Sequence, residues 1–176
     1  STVFATASVD APQRLPGDLL RRRWATRPVQ YLSSEKGMPT IQHSLVLCPK
    51  PEARLAVLRQ FLKGVKTATV VFFDAKRLSL LPKIAAALKQ DDLRVDVLNE
   101  ADDLESRSSA FEAFVSGDVD VLLTTDLAAR GLDAPRTALV VNFDVPRTAT
   151  DYLHRAGRTA RLGRSGAVLT ICEKSE

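Results

Sequence analysis

The sequence predicts an α/β domain in which a parallel sheet lies between helices on both faces. Three observations support this prediction. The 176 residues are 45% hydrophobic, which is enough for the core of one ordinary domain. From residue 43 onward, short apolar segments alternate with segments of helical spacing. The apolar segments are continuous, which is typical of strands that are buried on both faces of a parallel sheet.

Six segments are predicted to be strands. They lie at 43–49, 68–73, 94–98, 119–124, 137–143 and 167–172. Ligands of a parallel sheet bind at the carboxyl ends of its strands. We therefore expect the functional residues in the loops after the fourth and fifth strands and in the helix that follows them.

The first two predicted helices are bounded by proline and glycine. The first begins at Pro51, because proline is tolerated in the first helical turn, and it ends at Gly64. The second is expected to begin near Ser79 or to be kinked, because Pro82 in a helix interior would remove a backbone hydrogen bond.

The third and fourth predicted helices lie on either side of the fourth and fifth strands. The third covers about residues 103–115 and ends at Gly117, a residue that readily adopts the left-handed conformation of a helix end. Its inward-facing side chains are predicted to be Phe111, Phe114 and Val115. The fourth helix is short and covers about residues 149–156.

The amino-terminal region does not follow the strand–helix repeat. Residues 33–42 contain Gly37 and Pro39 and are predicted to be a linker. Residues 1–32 are therefore predicted to be separate from the main domain, which is expected at 43–176.

The composition argues against several classes of protein. No run of about 18 apolar residues is present, so we expect no membrane span. The two cysteines and two histidines lack the spacing of metal ligands, so no metal site is expected. Cys48 and Cys172 lie in apolar segments, which favours buried thiols and an intracellular location. The net charge of +4 permits a polyanionic partner but does not require one.

Two segments have residue types suited to phosphate groups. Residues 122–135 follow a predicted buried strand and combine threonine hydroxyls with Asp, Arg and Gly. Such hydroxyls and backbone amides at a strand end commonly contact phosphate. Residues 152–164 contain Arg155, Arg158 and Arg161 at three-residue spacing, which would point them in roughly the same direction. Guanidinium groups bind phosphoryl oxygens well, although a solvated basic loop is the alternative.

These two segments, in this order, resemble motifs V and VI of the DEAD-box RNA helicase family. Residues 125–133 resemble motif V, and residues 154–161 resemble motif VI. Residues 70–74 lie where motif IV belongs. The resemblance covers about residues 41–176 and implies the C-terminal RecA-like lobe of such an enzyme.

The amino-terminal region also resembles part of this family. Residues 4–6 are similar to the Ser-Ala-Thr of motif III, which lies near the end of the first RecA-like lobe. The resemblance implies that residues 1–32 are a remnant of that lobe and that residues 33–42 are the interlobe linker.

The resemblance implies four residues on the ATP side of the lobe. Arg158 and Arg161 would be arginine fingers that reach the γ-phosphate of ATP. Asp133 would contact the ATP ribose, and Gly131 would line the same cleft. The first lobe would hold the other phosphate contacts and the Mg²⁺ ion.

The resemblance implies further residues on the RNA side and between the motifs. Thr125 would contact an RNA phosphate, and Arg107 lies in a region that helps to hold RNA. The residues expected to link motifs across the closed interface are Asp126, His154 and Arg155. The implied partners are RNA, the first lobe and possible ribonucleoprotein components.

The sequence departs from the family pattern mainly on the RNA side. Asn99 and Glu100 stand where the family usually has His and Gly, and Leu104 replaces a common Gln. Acidic residues near a phosphate path would repel it. Ala160 also replaces the usual Gly of motif VI.

Two functions therefore remain open at this point. One is an ATP-dependent RNA helicase or remodeller, and the other is a degenerate helicase-like scaffold on a ribonucleoprotein. A DNA-directed helicase lobe is less favoured, because residues 125–133 match the RNA enzymes closely.

Overall fold

The computed structural model describes residues 41–48, 50–129, 133–161 and 164–173. Within these ranges the six strands are β1 (Ile41–Cys48), β2 (Thr69–Phe73), β3 (Val95–Leu98), β4 (Val121–Thr125), β5 (Leu139–Asn142) and β6 (Gly166–Glu173). They form one sheet in the order β1-β6-β5-β2-β4-β3, and every neighbouring pair is parallel. The prediction of a parallel α/β sheet is confirmed.

The helices of the described chain cover both faces of this sheet. They are α1 (Ala53–Gly64), a 3-10 helix (Ala75–Leu80), α2 (Leu81–Lys89), α3 (Leu104–Ser116) and α4 (Ala149–Ala156). Successive strand residues point to opposite faces, so β2 contributes to two separate cores. Val71 and Phe73 pack with side chains of α1 and α2, whereas Phe72 packs with Phe114 of α3 and Ala156 of α4.

Two predicted boundaries differ from the structure. β1 begins at Ile41, so residues 41 and 42 belong to the sheet and not to the predicted linker. The second helix is preceded by the 3-10 helix, and α2 begins at Leu81 without a kink. Pro82 lies in the first turn of α2, where its missing N–H costs no internal hydrogen bond.

α3 confirms one predicted feature and contradicts another. Gly117 follows its last residue with φ of 99°, the left-handed conformation predicted for this glycine. Phe114 is buried and Phe111 partly buried, but Val115 is exposed and is not part of the inward face. The side chain of Asp103 caps the helix start by accepting a hydrogen bond from the Ser106 N–H at 2.7 Å.

The remaining sequence predictions concern cysteines, membranes and the amino terminus. Cys48 and Cys172 are both buried free thiols. Among the described helices, none is long and apolar enough to cross a bilayer. The predicted first-lobe remnant at 1–32 and the predicted linker as far as residue 40 lie outside the described residues.

Candidate functional site

The candidate site lies at the carboxyl ends of β4 and β5, beside α4. Arg155 of α4 is buried and forms a two-point ion pair with Asp126, the residue that follows β4. Its Nε lies 2.6 Å from Oδ1 of Asp126, and its Nη2 lies 2.6 Å from Oδ2. This geometry is that of a strong, charge-assisted pair, and it joins the segment after β4 to α4.

The remaining Arg155 donors bind groups at the end of β5. Nη1 donates to the backbone oxygen of Asp144 at 2.7 Å and to Oδ1 of Asn142 at 3.2 Å. The guanidinium carbon also lies 5.2 Å from the ring centroid of Phe72. Arg155 therefore fixes three chain segments relative to one another, which is consistent with a linking role.

Arg158 and Arg161 lie beyond the last turn of α4, where they do not share the direction of Arg155. Arg155 points into the protein, whereas the other two are half-buried at its surface. The Nε of Arg158 donates to the backbone oxygen of His154 at 3.2 Å, and the Nε of Arg161 donates to that of Gly157 at 2.9 Å. The expectation of one common direction is wrong, because the helix ends at Ala156.

Asp133 lies beside these two arginines. Nη1 of Arg161 donates to the Asp133 carboxylate, whose side chain is 78% exposed. Burial lowers the pKa of Arg158, and the charge of Arg161 lowers it further, whereas Asp133 acts in the opposite direction. An arginine nonetheless keeps its proton at neutral pH. The structure therefore places two cations and one carboxylate on a common surface.

Two further predicted residues are Gly131 on the ATP side and His154 among the linking residues. Gly131 lies outside the described residues. The side chain of His154 is exposed, and its backbone oxygen accepts a hydrogen bond from Nε of Arg158.

Thr125, the last residue of β4, is buried, and its hydroxyl has two partners. The hydroxyl donates to Oε2 of Glu100 at 2.7 Å. It also accepts a hydrogen bond from the Ala128 N–H at 3.3 Å. Glu100 stands in the loop after β3, next to β4 in the sheet. The predicted phosphate contact is thus occupied by a carboxylate of the protein itself.

Arg107 lies on α3, in the helix that follows the acidic loop. Its Nε is buried and has no hydrogen-bond partner among the described residues. A buried guanidinium N–H without a partner costs free energy, but this atom is not exposed to solvent and no ligand reaches it in this conformation. The structure therefore does not place Arg107 in contact with Thr125.

Sequence reasoning missed a buried charge cluster at the ends of β2 and β5. The carboxylate of Asp144 accepts from Nη2 of Arg54 at 3.2 Å and from Nε of Arg77 at 3.0 Å. It also accepts from the Asp74 N–H at 2.9 Å. The backbone oxygen of Asp144 also accepts a hydrogen bond from Arg155, so the cluster is directly connected to the candidate site. One feature of the sequence could have indicated this cluster, because the charged residue Arg54 occupies a core-facing position of the first predicted helix.

Asp74, the last residue of the segment that resembles motif IV, has a second partner at the surface. The Lys76 N–H and the Arg147 guanidinium hold the pKa of its carboxyl below the usual value. Nη2 of Arg147 lies 2.7 Å from Oδ2 of Asp74. The pair joins the end of β2 to the loop before α4.

The turn after α4 packs closely on the start of β6. Ala160 has φ of 56°, a left-handed conformation that L-residues other than Gly, Asn and Asp rarely adopt. A Cβ atom on Gly166 would lie only 2.7 Å from the Ala160 backbone nitrogen. The hydroxyl of Thr159 also donates to the Thr137 backbone oxygen at 2.9 Å. These contacts fix the turn between Ala156 and Arg161.

The described residues fit a nucleotide better than a metal ion. They contain no group of three or more His, Cys, Asp or Glu side chains that could hold a metal. Arg158 and Arg161 are donors suited to phosphoryl oxygens, and the Asp133 carboxylate can accept hydrogen bonds from ribose hydroxyls.

Comparison with known proteins identifies the class of this chain. The profile of the helicase conserved C-terminal domain family matches residues 53–163. The chain therefore belongs to the helicase C-terminal domain family. Within that family it is the C-terminal lobe of a DEAD-box protein, as two relatives and two solved structures show.

The relatives are longer proteins. The chain is 41% identical over 135 residues to the ATP-dependent RNA helicase DRS1 of Candida albicans, covering 77% of this chain and 22% of that protein. It is 32% identical over 175 residues to the chloroplastic DEAD-box ATP-dependent RNA helicase 58 of Oryza sativa subsp. japonica, covering 91% of this chain and 40% of that protein. The chain thus spans well under half the length of these relatives.

Solved structures have the same fold. The structure of the E. coli DEAD-box protein SrmB bound to regulator of ribonuclease activity A matches with a TM-score of 0.67 and 31% identity, covering 79% of each chain. The ADP-bound RNA helicase Prp28 of Chaetomium thermophilum matches with a TM-score of 0.67 and 32% identity, covering 76% of this chain and 33% of that one.

Proposed function

We propose that the chain is the C-terminal lobe of an ATP-dependent RNA helicase that unwinds RNA or remodels ribonucleoproteins. The observation that supports this most directly is the ion pair between the buried Arg155 and the half-exposed Asp126. It joins the segment after β4 to α4 and so holds Arg158, Arg161 and Asp133 on one surface. We call these five residues the nucleotide side of the site.

On the nucleotide side, two arginines are proposed as arginine fingers. Arg158 and Arg161 would stabilise the charge that develops on the transferred phosphoryl group, which is the role of such fingers in related enzymes. Arg161 is now paired with Asp133, so nucleotide binding would exchange that ion pair for contacts to phosphate and ribose. Asp133 and Gly131 are proposed to line the ribose end of the cleft.

The first RecA-like lobe is proposed to complete the active site. The 176 residues contain no P-loop pattern, so the β-phosphate, the γ-phosphate and Mg²⁺ would be held by that lobe. Residues 1–32 are proposed to be its last part, followed by the interlobe linker. We therefore expect no Mg²⁺-dependent ATP turnover by the purified 176-residue chain.

Three residues, Thr125, Arg107 and Glu100, are proposed to face the bound RNA. We call them the RNA side of the site. Arg107 is proposed for this side from the family resemblance, and its contact with a phosphate would require the buried Nε to become exposed. RNA and possible ribonucleoprotein components are the proposed partners, and an intracellular location stays a prediction.

The test is RNA-stimulated ATP hydrolysis by the natural full-length protein. Arg158→Ala is expected to lower kcat by about 10³-fold or more, the range measured for arginine fingers of related enzymes. Arg164→Ala is the matched control, because Arg164 is an exposed arginine of the same segment. Equal loss in both variants, or no loss in either, would contradict the finger assignment.

A degenerate scaffold on a ribonucleoprotein is the second candidate function. The observation that favours it is the Glu100 carboxylate bound to the Thr125 hydroxyl, where the helicase function needs a phosphate contact. Normal RNA-stimulated ATPase activity of the full-length protein would exclude this candidate.

A further inference from the structure

The hydroxyl of Thr125 is committed to a partner within the protein. A threonine hydroxyl has one O–H donor, and here that donor points to Oε2 of Glu100 at 2.7 Å. A phosphate oxygen is an acceptor and would need the same proton. The Glu100 carboxylate and a phosphate therefore cannot both receive this hydrogen bond.

The surroundings of Thr125 fix the direction of its hydroxyl. One of its lone pairs already accepts from the Ala128 N–H at 3.3 Å, which orients the oxygen within the turn after β4. The residue is 1% exposed. A phosphate can reach the hydroxyl only after the half-buried Glu100 side chain has moved aside.

The sheet itself places Glu100 beside this hydroxyl. β3 and β4 are neighbouring parallel strands, with Leu98 paired to Thr124, so the loop after β3 begins next to the end of β4. The side chain of Asn99 accepts from the Ala101 N–H at 2.8 Å and shapes the turn that contains Glu100. The contact therefore follows from strand register and a local turn.

We propose that Glu100 lowers the RNA affinity of the lobe by competing with RNA phosphate for the hydroxyl of Thr125. The inference rests on the proposed function of the lobe. The carboxylate takes the hydrogen bond that a phosphate would receive, and its charge repels the phosphate backbone. RNA must displace Glu100 before it can use Thr125, which lowers RNA affinity relative to a lobe with an uncharged residue at this position.

The direct test is the affinity of the natural full-length protein for single-stranded RNA, with a non-hydrolysable ATP analogue present. Glu100→Ala is expected to tighten binding by about tenfold, the scale of a hydrogen bond between a neutral donor and a charged group. Asp102→Asn is the matched control, because it removes an exposed charge from the same loop without touching Thr125. Its expected effect is less than about twofold, as for a screened surface charge.

A double-mutant cycle separates the hydrogen bond from general electrostatics. Thr125→Val removes the hydroxyl for which the two acceptors compete, so it is expected to weaken RNA binding less in the wild-type protein than in the Glu100→Ala variant. In the Glu100→Ala background the same substitution should remove most of the gain, since the two residues are coupled. Thr125→Ser keeps the hydroxyl and should retain the gain, and thermal melting verifies that each variant is folded.

The outcomes distinguish the inference from the proposed function. Equal tightening by Glu100→Ala and Asp102→Asn, with RNA bound by all variants, would overturn the competition and leave the helicase function intact. An equal effect of Thr125→Val in the wild-type and Glu100→Ala backgrounds would also overturn it, because it would show that the two residues are not coupled. Failure of every variant to bind RNA would contradict the proposed function, and the inference would fall with it.

Discussion

The nucleotide side and the RNA side of the candidate site satisfy their polar groups in opposite ways. On the nucleotide side, Arg155 is buried and its donors are matched by Asp126 and by groups at the end of β5. On the RNA side, the Nε of Arg107 is buried without a partner among the described residues, and Thr125 binds an acidic side chain. The donors of Arg155 are therefore matched within the protein, whereas the RNA side contains a buried N–H without a partner and a hydroxyl bound to a carboxylate.

The difference indicates which substitutions each region tolerates. Removing the buried Arg155 side chain leaves acceptors at the end of β5 without a donor, so the stability of the fold depends on it. Exchanging a half-buried carboxylate at the edge of the sheet costs little stability, so sequence change there can adjust ligand affinity. The departures from the family pattern at Asn99 and Glu100 lie in this second region.

The largest expected effect tests the structural role of the nucleotide side. Arg155→Ala is expected to lower the free energy of unfolding by about 2–4 kcal/mol, because the Asn142 amide oxygen and the Asp144 backbone oxygen lose their donor, whereas the half-exposed Asp126 carboxylate is rehydrated. Urea denaturation of the 176-residue chain measures this change.

The matched control for that substitution is a surface pair with the same geometry. Arg94 binds Asp120 through two hydrogen bonds of 2.8 Å, but its side chain is 57% exposed. Arg94→Ala should therefore cost less than about 1 kcal/mol. Similar losses of unfolding free energy in Arg155→Ala and Arg94→Ala would show that the Arg155 contacts are no more important for stability than a surface ion pair.

Sequence reasoning predicted the parts of this lobe that depend on local pattern. Each of the six strands lies within two residues of its predicted start, because continuous apolar segments bounded by turn residues specify buried strands. The helix after β3 was also predicted with its glycine end at Gly117. The segments around Thr125 and Arg155 were singled out, because they follow strand ends and combine residue types suited to phosphate.

The parts that were missed depend on contacts between distant segments. Whether Glu100 reaches Thr125 depends on β3 lying next to β4, and strand order is not encoded in apolar spacing. The Asp144 cluster likewise joins Arg54 of α1 to Arg77 of the 3-10 helix. The helix at 149–156 was predicted with its observed bounds, but the turn after it, in which Ala160 has φ of 56°, directs Arg158 and Arg161 away from Arg155, and spacing does not predict that turn.

The second prediction concerns backbone strain in the turn after α4, next to Arg161 of the nucleotide side. Ala160 has φ of 56°, which costs an alanine about 1–2 kcal/mol, whereas glycine adopts this conformation freely. Ala160→Gly is therefore expected to leave the free energy of unfolding nearly unchanged or to raise it by less than about 1 kcal/mol, because relief of the strained φ offsets the loss of a buried methyl group and the entropy that glycine gains in the unfolded chain. Urea denaturation measures it.

Ala86→Gly is the control for that substitution. Ala86 is exposed on α2 with ordinary helical conformation, so the exchange there should cost about 1 kcal/mol. Destabilisation by both exchanges would mean that the turn after α4 does not hold Ala160 in a strained conformation.

The third prediction tests whether the RNA side is exchangeable. Glu100→Ala removes one hydrogen bond to Thr125 at the edge of the sheet. The expected loss of unfolding free energy is about 0.5–1 kcal/mol, the net value of a typical hydrogen bond in a protein. A loss as large as that of Arg155→Ala in the same denaturation experiment would show that Glu100 holds the fold together.

The smallest expected effect concerns the support of α4 by β1. His43 forms a hydrogen bond between its Nδ1 and the hydroxyl of Tyr152, and burial lowers the pKa of this histidine. A histidine whose pKa is lowered by folding contributes its full stabilisation at pH values above its unfolded-state pKa of about 6.5. This contribution is lost as the pH falls from that value towards the lower folded-state pKa. The unfolding free energy should therefore fall less between pH 7.5 and pH 5.5 in His43→Gln than in the wild type. His154→Gln is the matched control, because that side chain is exposed on the same helix as Tyr152. An identical pH dependence of the unfolding free energy in His43→Gln and wild type would mean that burial of His43 does not contribute to the loss of stability at low pH.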